Sequence, residues 1–144
     1  MGSVSVKKIK ISPLRRVPLP KGDVLHGLKR TDTGYTGFGE AYFSQIEFDA
    51  VKAWKRHTRM TLNLVVPVGI VKFAFVDDQG DWLIKVVSPH DFVRLTVPPG
   101  IWFGFKGLCS PLNLLLNIAD IPHDPAEVER KDIDEIEFDW KAAI

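Results

Sequence analysis

Between Glu40 and Ile118, short runs rich in β-branched and aromatic residues recur at near-regular intervals, most of them closed by Gly, Pro or Asp. The runs cover 40–46, 51–57, 61–66, 70–76, 82–87, 92–97, 101–105 and 112–118, separated by breaks such as Pro67-Val68-Gly69, Asp77-Asp78-Gln79-Gly80, Pro89 and Pro98-Pro99-Gly100. Such punctuation marks short strands joined by tight turns. No helical period interrupts them before residue 120, so βαβ crossovers have nothing to be made from. Strands that follow one another this closely must pair antiparallel, in a sandwich or barrel.

The flanks differ. Pro13, Pro18 and Pro20 keep the first segment extended. Gly34, Gly37 and Gly39, with Asp32 and nearby Thr residues, give 31–39 the chemistry of turns and bulges. After Asp124-Pro125, a helix N-terminus signal, Val128, Ile133 and Ile136 sit among acids. A short C-terminal helix lying on the barrel is expected there. The layout is one domain over 1–144: an extended segment 1–30, a barrel 31–120 and a helical tail 121–144.

A chain of 144 residues can bury one ordinary core. Its net charge of +1 supplies no field to gather nucleic acid or an anionic membrane, so neither is expected as a partner. The charge is segregated, however. Lys7, Lys8, Lys10, Arg15, Arg16, Lys21, Lys29 and Arg30 precede Thr31, and acids dominate after Pro125. These ends are either solvated and mutually paired, or the basic one faces an anionic ligand. The single Cys109 cannot form an intrachain disulfide, and no stretch is apolar and long enough to span a bilayer or serve as a signal-peptide core. A cytoplasmic location is the expectation.

Three segments carry a resemblance. Gly37-Phe38-Gly39-Glu40-Ala41-Tyr42-Phe43-Ser44 is similar to a Gly-Phe-x-x-Glu strand, and Val51-Lys52-Ala53-Trp54-Lys55-Arg56-His57 is similar to a strand bearing Arg-Gly-x-His. Arg94 to Phe105 resembles a Leu-x-Ile-Pro-x-Gly-x-x-His-Gly-Phe signature. All three belong, in the same order, to the dTDP-4-dehydrorhamnose 3,5-epimerase family, and they span roughly residues 30 to 120. The resemblance implies a jelly-roll cupin that works as a homodimer without a cofactor. An N-terminal strand would cross to the partner and help to hold the dTDP group. It implies a nucleotide-sugar ligand, a dTDP-4-keto-6-deoxyhexose, in deoxysugar or lipopolysaccharide biosynthesis. The chemistry would be proton removal next to the C4 ketone and reprotonation on the opposite face.

That chemistry needs a base poised near neutral pH, a cation or donor for the enolate oxygen, and Arg or Lys for the diphosphate. His57 is the expected base. Strand alternation puts Lys55 on the same face as a stabilising cation and Arg56 on the other. The alternative is that Lys52, Lys55, Arg56 and Arg59 form a solvated basic strand end. Phe38, Glu40, Lys52, Trp54 and Arg56 are expected to touch the ligand by their place in the first two segments. Asn63, Asn117 and Arg94 are polar residues in apolar strands. They either line the pocket or satisfy the backbone nearby. Trp54, Trp82, Trp102, Phe103 and Phe105 either stack on the ligand or fill the core. Phe103 stands where the signature has His, and no tyrosine falls between Leu116 and Pro122. Epimerisation at one carbon, or keto isomerisation, needs fewer groups. No metal site is expected, because only His57 lies well inside the barrel region while His26, His90 and His123 occupy turn-like contexts. The rival reading is a cupin that binds a sugar nucleotide or glycan without turning it over. The two part on whether His57 points into the barrel beside Lys55.

Overall fold

The computed structural model describes residues 4–142. The strands are β1 (Lys10–Pro13), β2 (Arg16–Val17), β3 (Val24–Leu25), β4 (Glu40–Glu47), β5 (Val51–His57), β6 (Leu62–Val68), β7 (Val71–Val76), β8 (Trp82–Val87), β9 (Val93–Val97), β10 (Trp102–Gly107), β11 (Leu112–Ala119) and β12 (Val128–Arg130). The eight expected runs are β4 to β11, displaced by at most two residues. β6 runs through the expected break at Pro67, and the chain turns instead at Gly69, whose φ is +85°.

Two five-stranded sheets face each other, ordered β1-β9-β6-β11-β4 and β12-β5-β10-β7-β8, and β2 with β3 form a separate hairpin. Every pairing is antiparallel, as short turns demand. The fold is a β-sandwich of the jelly-roll kind.

Alternation fills the space between the sheets. Ile46, Leu64, Val66, Phe73, Phe75, Leu95 and Leu115 are all at most 1% exposed. Phe73, Phe75, Phe103 and Phe105 form a run of ring contacts with centroids about 6 Å apart. Leu114 and Leu116 are only half-buried, because they point to the outer face of the first sheet. A second cluster, Trp54, Ala74, Val76, Trp102 and Trp140, covers the outer face of the second sheet, with Ile136 and Phe138 packed on it.

The tail departs from the expected helix. Pro125–Glu127 and Ile133–Glu135 are single 3-10 turns, with β12 between them. Asp124 does cap the first turn, accepting from the Ala126 N–H. The edge of β5 offers a row of unpaired backbone groups, and pairing with it satisfies more of the tail's backbone than a lone short helix would. Val128, Glu129 and Arg130 lie opposite His57, Arg56 and Lys55.

Candidate active site

The site is organised by one irregularity in β5. Phe103 lies opposite Lys55 and Gly104 opposite Ala53, so Trp54 is an extra residue on β5. Lys52 then lies opposite Phe105. Phe103 and Phe105 both point between the sheets, and residues directly opposite on antiparallel strands share a face. The bulge therefore turns Lys52 and Lys55 to the interior despite their odd spacing. Alternation resumes beyond it. Arg56 faces out, its guanidinium 4.7 Å above the Trp102 ring and paired with Glu129. His57 faces in, 5% exposed, its ring stacked 6.0 Å from that of Phe103.

Glu127 meets His57 from the tail. Its Oε1 lies 2.5 Å from His57 Nδ1, and its Oε2 accepts from the backbone N–H groups of Thr58, Arg59 and Met60 at 3.1, 3.1 and 3.2 Å. Burial raises the carboxyl's pKa, but the His57 bond and these amides outweigh it and hold the group below its ordinary range. An ionised Glu127 fixes the proton of a neutral imidazole on Nδ1. Burial also lowers the pKa of His57, more than the Glu127 bond and charge raise it. Nε2 is left with a free lone pair, buried and without a hydrogen-bond partner among the described residues.

The opposite wall is polar. Alternation along β4 turns Glu40, Tyr42 and Ser44 inward, and Asn117 of β11 lies opposite Tyr42 and donates to Ser44 Oγ at 3.3 Å. Burial raises the Tyr42 pKa, with Glu40 and Glu127 adding to the effect and Arg130 opposing it, so the phenol keeps its proton. A cavity of about 520 Å³ opens here. Ser44, Lys52, Lys55, Phe103, Phe105 and Arg130 line it, and Lys131, Asp132 and Glu135 of the tail close its rim. Burial lowers the Lys55 pKa, and the nearby positive charges of Arg130 and Lys52 lower it further.

The expected residues divide accordingly. His57, Lys55, Lys52, Glu40 and Asn117 face this interior. Trp54 borders the cavity, but its ring belongs to the outer aromatic cluster, where Nε1 donates to the Ile133 carbonyl at 3.1 Å. Arg56 is on the outer face, and Phe38 stands 63% exposed just before β4. Asn63 and Arg94 are not brought to His57. They lie on the outer face of the first sheet, where Arg94 donates to the Gly27 and Thr33 carbonyls and to Asn63 Oδ1, and Asn63 donates to the Gly34 carbonyl. Their polar atoms anchor the 27–34 turn. Glu127, Tyr42 and Arg130 were not expected. Alternation from Glu40 already points Tyr42 inward, but no local signal joins Glu127 to a histidine 70 residues away.

No family model matches the chain. It is 28% identical over 115 residues to the probable low-salt glycan biosynthesis epimerase Agl13 of Haloferax volcanii, covering 72% of this chain and 74% of that protein. The fold of RmlC, the dTDP-6-deoxy-D-glucose-3,5-epimerase of Legionella pneumophila, superposes with a TM-score of 0.80 at 16% identity, covering 98% of this chain and 82% of that one. The dTDP sugar isomerase of Desulfovibrio desulfuricans G20 superposes with a TM-score of 0.89 and is 35% identical, over 96% of this chain and 94% of that one. With that identity sustained over nearly the whole of both chains, the protein belongs to the dTDP-sugar isomerase and epimerase family of jelly-roll cupins.

Proposed function

We propose that the protein is a sugar-nucleotide epimerase or isomerase that abstracts a proton next to the C4 ketone of a dTDP-4-keto-6-deoxyhexose. The observation that carries this reading is the free Nε2 of a neutral His57, backed by Glu127 and buried on the strand face whose Lys55 lines a cavity of about 520 Å³. Glu127 fixes the tautomer and holds the imidazolium that forms when the proton arrives. Lys55, on the same wall, faces the oxygen on which negative charge develops. The protonated Tyr42 on the facing wall can return a proton, so the absence of a tyrosine near the end of β11 does not leave the site without an acid. Lys52 and Arg130 supply charge for the diphosphate.

A binding module that performs no chemistry has no use for a buried base with an orienting carboxylate, and the inward orientation of His57 beside Lys55 favours the enzyme. The outer face of the first sheet supports a homodimer. Phe43 is 63% and Val68 50% exposed, and the half-buried Leu114 and Leu116 lie between them. No helix among the described residues is long and apolar enough to cross a membrane. Deoxysugar or surface-polysaccharide synthesis in the cytoplasm is the setting that fits this chemistry.

The test is solvent-proton exchange. Wild type in deuterated water with dTDP-4-keto-6-deoxyglucose is expected to exchange a sugar proton at C3 or C5, read by NMR, and His57→Ala is expected to abolish it. The carbon that exchanges names the reaction. Ligand-induced spectral shifts without exchange would instead establish the binding module.

A further inference from the structure

Lys55 differs from Lys52, Lys72 and Lys106 in having no polar partner. Lys52 donates to the Gln45 carbonyl, Lys72 to the Ala142 carbonyl, and Lys106 to the Trp140 carbonyl while pairing with Asp49. Among the described residues, the Lys55 amine makes neither a hydrogen bond nor an ion pair. It stands opposite Phe103 on the wall that carries His57 and opens onto the cavity. Its charged neighbours are the cations Arg130 and Lys52 and, with a smaller opposing effect, the Glu127 carboxylate. A lysine kept only to place a positive charge would be served by a carboxylate partner. A partly desolvated one beside two cations, with no carboxylate paired to it, is in the environment that makes an amine nucleophilic.

We propose that Lys55 is a covalent catalyst, its Nζ condensing with the ketone of a keto-sugar held in the cavity that Lys55 lines. This rests on the function proposed above, with condensation at the ketone taking the place of charge stabilisation as the way Lys55 acts on it. The amine lone pair attacks the carbonyl carbon, and one proton passes from nitrogen to oxygen to give a carbinolamine. A second proton, from an acid of the cavity such as Tyr42, lets the oxygen leave as water and forms an iminium ion. His57 Nε2 then takes the proton from a carbon flanking the C=N bond, and the electron pair left behind forms a neutral enamine. Protonation of that carbon restores the iminium, and water returns to release the ketone and the free amine. No redox change is involved. The same two side chains, two residues apart on one strand face, supply the nucleophile and the base. The depressed pKa of Lys55 makes more unprotonated amine available at neutral pH than a surface lysine has.

The experiment adds sodium cyanoborohydride to the full-length protein with dTDP-4-keto-6-deoxyglucose, and reads intact mass and then a peptide map. Proton exchange at C3 and C5 is followed in a parallel sample without reductant. The expected result is one reduced adduct, mapped to Lys55, suppressed by excess dTDP, and loss of both adduct and exchange in Lys55→Arg, which keeps the charge but cannot condense. Exchange in wild type with no adduct at Lys55, with adducts scattered over surface lysines, or with exchange surviving in Lys55→Arg would overturn the covalent role while leaving the proposed function standing. Neither exchange nor adduct would overturn both. An adduct at Lys55 without exchange would support the covalent step and redirect the search to a different reaction on the bound sugar.

Discussion

At the scale of single residues, the site turns on a contact between His57 and Glu127, which are 70 positions apart. Alternation along a strand leaves open which way its faces turn but ties the histidine to Lys55, so the histidine was legible as a candidate base on the Lys55 face. The carboxylate was not, since a Glu in an acidic tail looks like any solvated Glu until the tail's path is known. Lys52 is an intermediate case. Plain alternation separates it from Lys55, and only the extra residue at Trp54 brings both inside. Glu127→Gln keeps the shape and removes the charge. Proton transfer of this kind is worth about 10²–10⁴-fold, and a misoriented base is expected to lose a comparable part of kcat with little change in KM. The pH profile separates orientation from structure. His57 must be unprotonated to act, so activity falls as pH drops through its pKa, which already lies below the ordinary value. Glu127 raises that pKa, so its neutralisation is expected to move the acidic limb to still lower pH. An acidic limb that stays in place or moves upward in Glu127→Gln would show that the carboxylate does not act on His57.

At the scale of elements, the eight central strands were readable because each is short, bounded by breakers and buried on at least one face. The tail was not, because Val128, Ile133 and Ile136 fit a helical face about as well as they fit a strand flanked by two turns. The unpaired edge of β5 decided between them, and an edge is a tertiary fact. That edge also explains how a tail forms part of the cavity wall. The N–H groups of Trp54 and Lys131 each donate to the other's carbonyl, at 3.0 and 3.1 Å, and the Trp54 indole ties down Ile133. Strand β10 must lie close to β5 for this to work, and Gly104 permits it. A Cβ there would stand 2.6 Å from that of Ala53 and 3.1 Å from the Trp140 ring. Gly104→Ala is therefore expected to destabilise the protein by about 1–3 kcal/mol, the cost of overpacking, measured by denaturant unfolding. The tail should loosen with it, read as faster amide exchange at Lys131. Unchanged stability would mean that the two strands can separate at little cost. Phe75→Ala, in the fully buried stack, is expected to cost about 3–5 kcal/mol without selective loosening of the tail.

At the scale of the whole molecule, the buried contact between His57 and Glu127 makes stability depend on pH, and the sign follows from both partners. Unfolded His57 takes up a proton near its ordinary value of 6.5, whereas the folded one does so only at lower pH. As pH falls below neutrality the unfolded state binds that proton first, and stability is lost until the folded pKa is passed. Glu127 acts in the same direction further down. Its folded pKa lies below the ordinary 4.5, so its contribution is complete above that value and disappears as pH falls through the folded one. The melting temperature is therefore expected to decline in two stages between about pH 7 and pH 3. His57→Asn cannot titrate and should remove the upper stage, while the lower one persists in reduced form because the Arg59 and Met60 amides still hold Glu127 down. Assembly must be held fixed in this comparison, since any dimer adds stability that varies with protein concentration. Phe43→Lys, on the outer face of the first sheet and 63% exposed, is expected to abolish a dimer without disturbing the interior, giving a monomer by sedimentation velocity. In that background the upper stage should persist at every protein concentration. If it vanished there, the pH dependence would belong to the subunit contact rather than to the buried pair of His57 and Glu127.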